Sequence, residues 1–278
     1  LVAVGGDPDN TFILDNFSWG NTSKPEQLGS LVLACEGATE AAIAFGTPFI
    51  SGKDSLNNEY TVFTPLGGPD GETTTTGSAL TIAIPGTLLI SGLAMVDDVR
   101  LCVTMDLKKA GNLLFVVGLT GDDLGGSHLN LLTGTSILAG QIPTVDLKLA
   151  KSLHRAMHKA IVKKTVRACH DLSEGGLAVA IAEMAFAGGL GATIEIGRVP
   201  VPRTLPPNVV LFSESASRYI VEVPKELRQD FESVFAGLPH ACVGEVQPQP
   251  TLKCIGPDRE LWIDDSLETL KVAWQSAF

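Results

Sequence analysis

The run Ser51-Gly52-Lys53-Asp54-Ser55 follows the apolar triplet Pro48-Phe49-Ile50, so a strand closing at Ile50 opens into hydrogen-bond donors and one acid. A second acid, Asp15, follows another short apolar run, Phe12–Leu14. If those two strands are neighbours, the carboxylate and the glycine turn open into one crevice at the carboxyl ends of the sheet, where ligands of α/β proteins commonly sit. Gly52 would let backbone N–H groups approach a phosphate or a base, Lys53 would neutralise negative charge, and Ser55 would donate to a second ligand. The same residues also read as a tight turn with a solvated lysine, because the GxxxxGK[ST] spacing of a phosphate loop is absent.

A second cluster lies in "HDLSEGGLA". Ser173 is expected to cap a helix, with the Gly175 and Gly176 amides facing outward at its positive end. Asp171 stands just before that cap, placed to hold Mg2+ if a polyphosphate lands there. Plain capping accounts for Ser173 without any ligand, and His170 reads as a packed or capping residue. A third stretch, "TGDDLGGSHL", offers Asp122, Asp123 and a Gly125-Gly126-Ser127 turn that would hold a metal-phosphate or simply cap a helix. The five histidines are not grouped with Ser, Cys or carboxylates at the spacing of a triad or a metal site.

The elements that must position these residues alternate without a regular parallel rhythm. A helix over Pro25–Phe45 carries an apolar stripe of Leu28, Leu31, Val32, Cys35, Ala38 and Ala42 and stops at Gly46. "GGPDGETTTTGS" reads as a surface turn, "ALTIAIPG" and "LCVTMDL" as strands, and Gly111–Leu119 as a buried strand. Helices follow over Leu147–Lys164, after "HDLSEGG", and after Pro224. Strands span Ser217–Val223 and Cys242–Val246, and a last helix covers Asp265–Trp274. The pattern predicts an α/β protein with mixed sheets instead of a doubly wound one, divided into residues 1–107 and 108–278.

Composition narrows the function classes. With 45% hydrophobic and 18% charged residues and 29 glycines in 278, the chain is a folded one with many tight turns. A net charge of −11 and no basic run longer than Lys163-Lys164 oppose general nucleic-acid binding. Five widely spaced cysteines without a CxxC pair fit reduced thiols in a cytoplasmic protein. No cleavable leader and no apolar run near the length of a membrane span are read in the sequence. The opening "LVAVGGDPDN", without methionine or a capping residue, reads as a start partway through a domain.

Three stretches together carry a resemblance. "GDPDNTFILDNFSWGN…PEQLGSLVLACEGATEAAIAFGTPFISGKDSLNNEY", "HDLSEGGLAVAIAEMAFAGG" and "LFSESASRYIVEV" closely resemble the second half of the phosphoribosylformylglycinamidine synthase family, within the aminoimidazole ribonucleotide synthetase superfamily. The likeness runs in order over essentially the whole chain. It implies a barrel-forming first part followed by a C-terminal α/β sandwich. It implies an ATP-dependent ligase of purine synthesis, with ATP and Mg2+ as cofactors and formylglycinamide ribonucleotide as substrate. Its partners would be a glutaminase that releases ammonia, a small accessory subunit, and an N-terminal half holding the catalytic histidines and principal metal carboxylates, so that this chain would be inactive alone.

By the same resemblance Asp15 and Gly52 contact ATP and Ser55 contacts the ribonucleotide. Lys53 stands where many small forms of the enzyme have a magnesium-touching asparagine. A protonated lysine cannot ligate a cation, so its implied partner is a phosphate. Asp171 and Ser173 match an auxiliary nucleotide-Mg2+ site of structural character. Two alternatives remain open: another ATP-using member of the superfamily, and a non-catalytic scaffold half that holds ADP and Mg2+ for stability.

Overall fold

The computed structural model describes residues 1–67, 73–136 and 140–276. The elements run β1 (Thr11–Ser18), α1 (Pro25–Phe45), β2 (Phe49–Ser55), β3 (Glu59–Gly67), β4 (Thr73–Ala83), β5 (Thr87–Ala94), β6 (Leu113–Val117), α2 (His128–Leu132), α3 (Leu147–Val162), β7 (Ala168–Asp171), α4 (Gly176–Gly188), β8 (Gly191–Glu195), α5 (Pro207–Phe212), β9 (Tyr219–Val223), α6 (Arg228–Val234), β10 (His240–Gln247), β11 (Thr251–Ile255), β12 (Leu261–Ser266) and α7 (Leu267–Gln275). They form an α/β protein with mixed sheets. The chain divides into two compact units, Asp9–Leu93 and Leu1–Pro8 with Ala94–Phe278. The sequence division at 107/108 thus differs from the contact boundary. Residues 94–107 run with the second unit, where Thr104 bridges Ala168 and the Leu107 amide donates to the Met184 carbonyl at 3.0 Å.

In the Asp9–Leu93 unit, β2, β1 and β5 form a sheet in that order, β1 and β2 lie parallel with α1 as their crossover, and β3 and β4 form a separate antiparallel hairpin. Both strands of the parallel pair run further than their apolar residues indicate. β1 continues past Leu14 to Ser18, and β2 continues past Ile50 through Ser51–Ser55. A parallel ladder supplies backbone partners whatever the side chains are, so polar residues are carried as strand. The threonines of "GGPDGETTTTGS" are likewise strand, paired from Thr73 onward with β3, as suits β-branched residues; residues 68–72 of that segment lie outside those described.

Helix α1 carries apolar residues on more than one face. Gln27, Leu31, Ala34, Ala38, Ala41 and Phe45 are half-buried, while Leu33 and Ile43 are 68% and 77% exposed. The expected stripe therefore straddles two faces. The helix is also, contrary to the sequence reading, long and apolar enough to meet the length and composition test for a membrane span, with 21 residues and a mean hydropathy of 1.4. Leu28, Leu31, Val32, Leu33 and Ile43 supply most of that hydropathy, and Glu26, Glu36 and Glu40 interrupt it. The crossover returns the chain to the strand beside the one it left.

The larger unit is a three-layer sandwich on a seven-stranded sheet, ordered β12-β11-β8-β10-β6-β9-β7, antiparallel throughout except between β11 and β8. Alternation along β6 splits two cores: Leu114 and Val116 pack with Leu177, Ile181 and Met184 of α4, and Phe115 and Val117 pack with Leu153, Met157 and Ile161 of α3 and Phe231 of α6. "LCVTMDL" is not a strand; a short 3-10 turn at Val99–Leu101 leads to an isolated bridge at Thr104.

One buried acid ties the Lys108–Asn112 turn to this sheet. Glu222 is fully buried, and its carboxylate accepts from the Lys108 amide at 2.7 Å, the Lys109 amide at 3.1 Å and the Asn112 side-chain amide at 2.5 Å. Three converging donors replace the water that a buried carboxylate gives up.

Two expectations follow. Glu222→Ala orphans those donors and lowers unfolding free energy by about 3 kcal/mol or more in urea titration; a loss under about 1 kcal/mol would contradict the role assigned. The uncovered apolar surface of α1, with Leu80, Ile82, Leu89 and Leu93 exposed on the strands, makes the chain self-associate. Light scattering should show oligomers that dissociate on Leu33→Glu with Ile43→Glu, and a native chain monomeric at high concentration would contradict it.

Candidate nucleotide site

Asp15 and Gly52 are direct partners in the β1–β2 register, lying in the middle of adjoining parallel strands instead of at their ends. The approach is close. A Cβ on Gly52 would fall 2.7 Å from the carboxyl carbon of Asp15, so the carboxylate occupies the space that any other residue at 52 would fill. Strand alternation then sorts the remaining residues. Asp54 shares the Asp15–Gly52 face, whereas Lys53 and Ser55 point to the other, where the Lys53 ammonium donates to the Ser55 hydroxyl. The structure thus brings Asp15 to Gly52 and Lys53 to Ser55, as two pairs on opposite faces. Reading the SGKDS run as a loop placed all four in one crevice; its strand conformation separates them.

The end of β1 is fixed by Trp19. Its indole N–H donates to the Gln27 carbonyl and the Ser30 hydroxyl, both at 3.0 Å, its amide donates to the Ser55 carbonyl at 2.9 Å, and its ring lies where a Cβ on Gly86 would fall. One aromatic therefore ties together β1, the end of β2 and the first turn of α1. Lys24 donates to Glu59 at 2.8 Å and the Asn21 amide donates to the same carboxylate; the lysine first, then the amide, hold the Glu59 carboxyl below its usual range. Asn21 and Ser23 close this corner in a short polar turn.

The second cluster departs from its expected form. Helix α4 begins at Gly176 and is capped by Gly175, with no side-chain cap from Ser173. Both glycines are left-handed, with φ of 75° and 62°, which lets the chain turn two residues beyond the serine; the Ser173 backbone carbonyl accepts from the Gly176 amide at 3.0 Å. Nor does the Gly175 amide face outward. It donates at 2.9 Å to the carboxylate of Glu214, which also accepts from the His128 amide at 3.1 Å.

Asp171 is exposed and paired with His170 Nδ1 at 3.3 Å, while His170 Nε2 meets Glu183 at 2.9 Å. Asp171 and Glu183 raise the His170 pKa against the opposing effect of burial, and His170 holds the Asp171 carboxyl down. By linkage the histidine's contribution to stability is present at low pH and fades as pH rises through its elevated pKa. The third cluster is structural: Ser127 caps α2 by accepting from the Asn130 amide, Asp123 is buried, and Asp122 meets Arg203 at 3.5 Å.

Among the described residues no three His, Cys, Asp or Glu side chains group to hold a metal ion. Asp171 turns one oxygen to His170.

The Gly52 contact is testable without any ligand. Gly52→Ala should cost about 1–3 kcal/mol through overpacking, and Asp15→Ala in the same chain should remove most of that cost. Additive losses in the double mutant would contradict the contact.

Comparison with known proteins agrees with this fold. The family described as "AIR synthase related protein, C-terminal domain" matches residues 109–256, more than half of the chain. The PurL subunit of phosphoribosylformylglycinamidine synthase from Deinococcus radiodurans is 33% identical over 280 aligned residues, covering 99% of this chain and 35% of the relative. The chain thus spans about a third of the length of that curated relative. Among solved structures, Thermotoga maritima PurL complexed with FGAR superposes with a TM-score of 0.69 at 20% identity, covering 97% of this chain and 40% of the other. E. coli HypE, a hydrogenase maturation protein, reaches 0.62 at 17% identity over 96% and 76% of the two chains. From the strand framework to the sequence of the larger unit, this chain belongs to the AIR synthase related family and is PurL-like across nearly its whole length.

Proposed function

We propose that the chain forms part of the ATP and substrate walls of an ATP-dependent carbon–nitrogen ligase that converts formylglycinamide ribonucleotide, with ammonia drawn from glutamine, to the corresponding amidine in purine synthesis. The observation that carries this reading is the pairing of Asp15 with Gly52: a carboxylate beside a strip of backbone without a side chain. The identity to PurL over 99% of the chain supports the ligase class, and the Thermotoga complexes with ATP and FGAR support the two ligand types.

In this reading the Asp15 carboxylate, seated over the bare backbone at Gly52, accepts hydrogen bonds from the nucleotide. At the carboxyl end of β2, Ser55 donates to the ribonucleotide, and the Lys53 ammonium that meets Ser55 turns to a phosphate. In the complete enzyme the formyl amide oxygen attacks the γ-phosphorus of ATP and ADP leaves. Ammonia then adds to the activated carbon, and phosphate departs with the oxygen. The Asp9–Leu93 unit contains no histidine, so the general acid-base groups come from elsewhere in the complete enzyme. The isolated chain therefore binds without turning over. Magnesium ligands, a glutaminase and a small accessory subunit complete the assembly, and the free thiols and acidic charge support a cytoplasmic setting.

Thermal melts test the assignment. ATP at hundredfold excess over Kd should add about 2.7 kcal/mol of stability. Asp15→Asn should weaken ATP binding by about tenfold, and Ser55→Ala should reduce only the response to the ribonucleotide. An undiminished ATP shift in the Asp15→Asn chain would overturn the site. A response to ADP with none to the ribonucleotide would favour a structural nucleotide-holding half. Steady ADP release by the isolated chain with ammonium and substrate would contradict its dependence on further residues.

A further inference from the structure

The loop Ser213–Arg218 inserts a carboxylate between two other loops of the larger unit. Glu214, with 16% of its side chain exposed, accepts through the same oxygen from the Gly175 amide at 2.9 Å and the His128 amide at 3.1 Å, at the start of α4 and of α2. A helix amino end favours negative charge, and here that charge is covalently part of the chain.

The residues on either side of Glu214 are locked. Ser215 donates to the buried Asp123 carboxylate and accepts from the Gly121 amide at 2.8 Å, and Ser213 lies 3.0 Å from Ser215. Arg218, 1% exposed, reaches back to the Ser215 carbonyl at 2.8 Å, the Ser213 carbonyl at 2.6 Å and Thr120 at 2.9 Å. The Glu214 amide itself donates to the Asp123 carbonyl at 3.0 Å. A carboxylate on a loop held from both sides has little freedom to swing out. A Cβ on Gly176 would run into the Ser213 carbonyl and meet the Leu211 carbonyl at 2.9 Å, so the α4 turn is pressed against the start of this loop and the residues just before it. Asp122, Asp123, Asp171 and Glu174 add further negative charge to these loops.

We propose that Glu214 is the resident anion of the α4 amino end and closes it to external phosphate, so that Asp171 and Ser173 border a self-occupied position instead of a nucleotide site. The contact is autoinhibitory in form: an internal carboxylate satisfies the amide that a phosphate oxygen would use. It is independent of the Asp15–Gly52 reading, which concerns a different unit.

Titration of the 15N-labelled chain with pyrophosphate at constant ionic strength tests this. In the native chain the Gly175 and His128 amide resonances stay in place. In Glu214→Ala they move saturably, with binding at least about tenfold tighter than in the native chain, and pyrophosphate recovers part of the melting temperature lost by the substitution. Glu214→Gln keeps an acceptor oxygen for both amides and stays closed. Saturable movement of Gly175 in the native chain overturns the proposal, as does a Glu214→Ala chain that neither binds pyrophosphate nor regains stability. Should Glu214→Ala fail to fold, the native and Glu214→Gln titrations decide: movement of Gly175 in either overturns it, and stillness in both supports it.

Discussion

The candidate site rests on one steric fact: residue 52 has no side chain, and the carboxylate of Asp15 fills the vacancy. Two parallel strands hold these residues side by side, and the order of the strands follows from α1 carrying the chain from one to its neighbour. Any larger residue at 52 would push the acid away from the sheet. The carboxylate, seated over the bare backbone at Gly52, is the group offered to a ligand on that face. The nucleotide assignment rests on this juxtaposition, which brings together two positions far apart along the chain.

Much of this was legible before any coordinates. The apolar runs at Phe12–Leu14 and Pro48–Ile50, with a helix of suitable length between them, were enough to predict neighbouring strands and the meeting of Asp15 with Gly52. The Leu113–Val117 run and the glycine-stopped helix after "SEGG" were equally plain, because short buried strands and Gly-terminated helices have local signatures. What local pattern could not supply was the conformation of Ser51–Ser55. A ladder with β1 extends that polar segment as strand, and the two-residue period then puts Lys53 and Ser55 on the face away from Asp15.

The second cluster shows the opposite limit. "Ser-x-Gly-Gly" carries the signs of a serine cap, yet the two left-handed glycines carry the helix start beyond it. The acid that actually meets this helix end lies 39 residues further along the chain, and nothing near Gly175 in sequence announces it. Glu222 and its donors at Lys108, Lys109 and Asn112 are separated by more than a hundred residues. Acids of this kind are visible only once the sheet order is known, because most of their partners are backbone amides, which every residue type carries. Only the residue type itself is a signal: Glu222 is an acid inside an otherwise apolar strand, Tyr219–Val223.

The two units also differ in how completely they bury their own apolar residues. The larger has two closed cores on either side of its sheet, whereas α1 of the smaller has no fully buried residue. A site built on β1 and β2 therefore sits in a region with exposed apolar surface. The most direct measurement is a crystal structure of the chain with a non-hydrolysable ATP analogue. The account places the nucleotide against the Gly52 backbone within hydrogen-bond reach of the Asp15 carboxylate. Density at the amino end of α4, with the Asp15–Gly52 face empty, would contradict it.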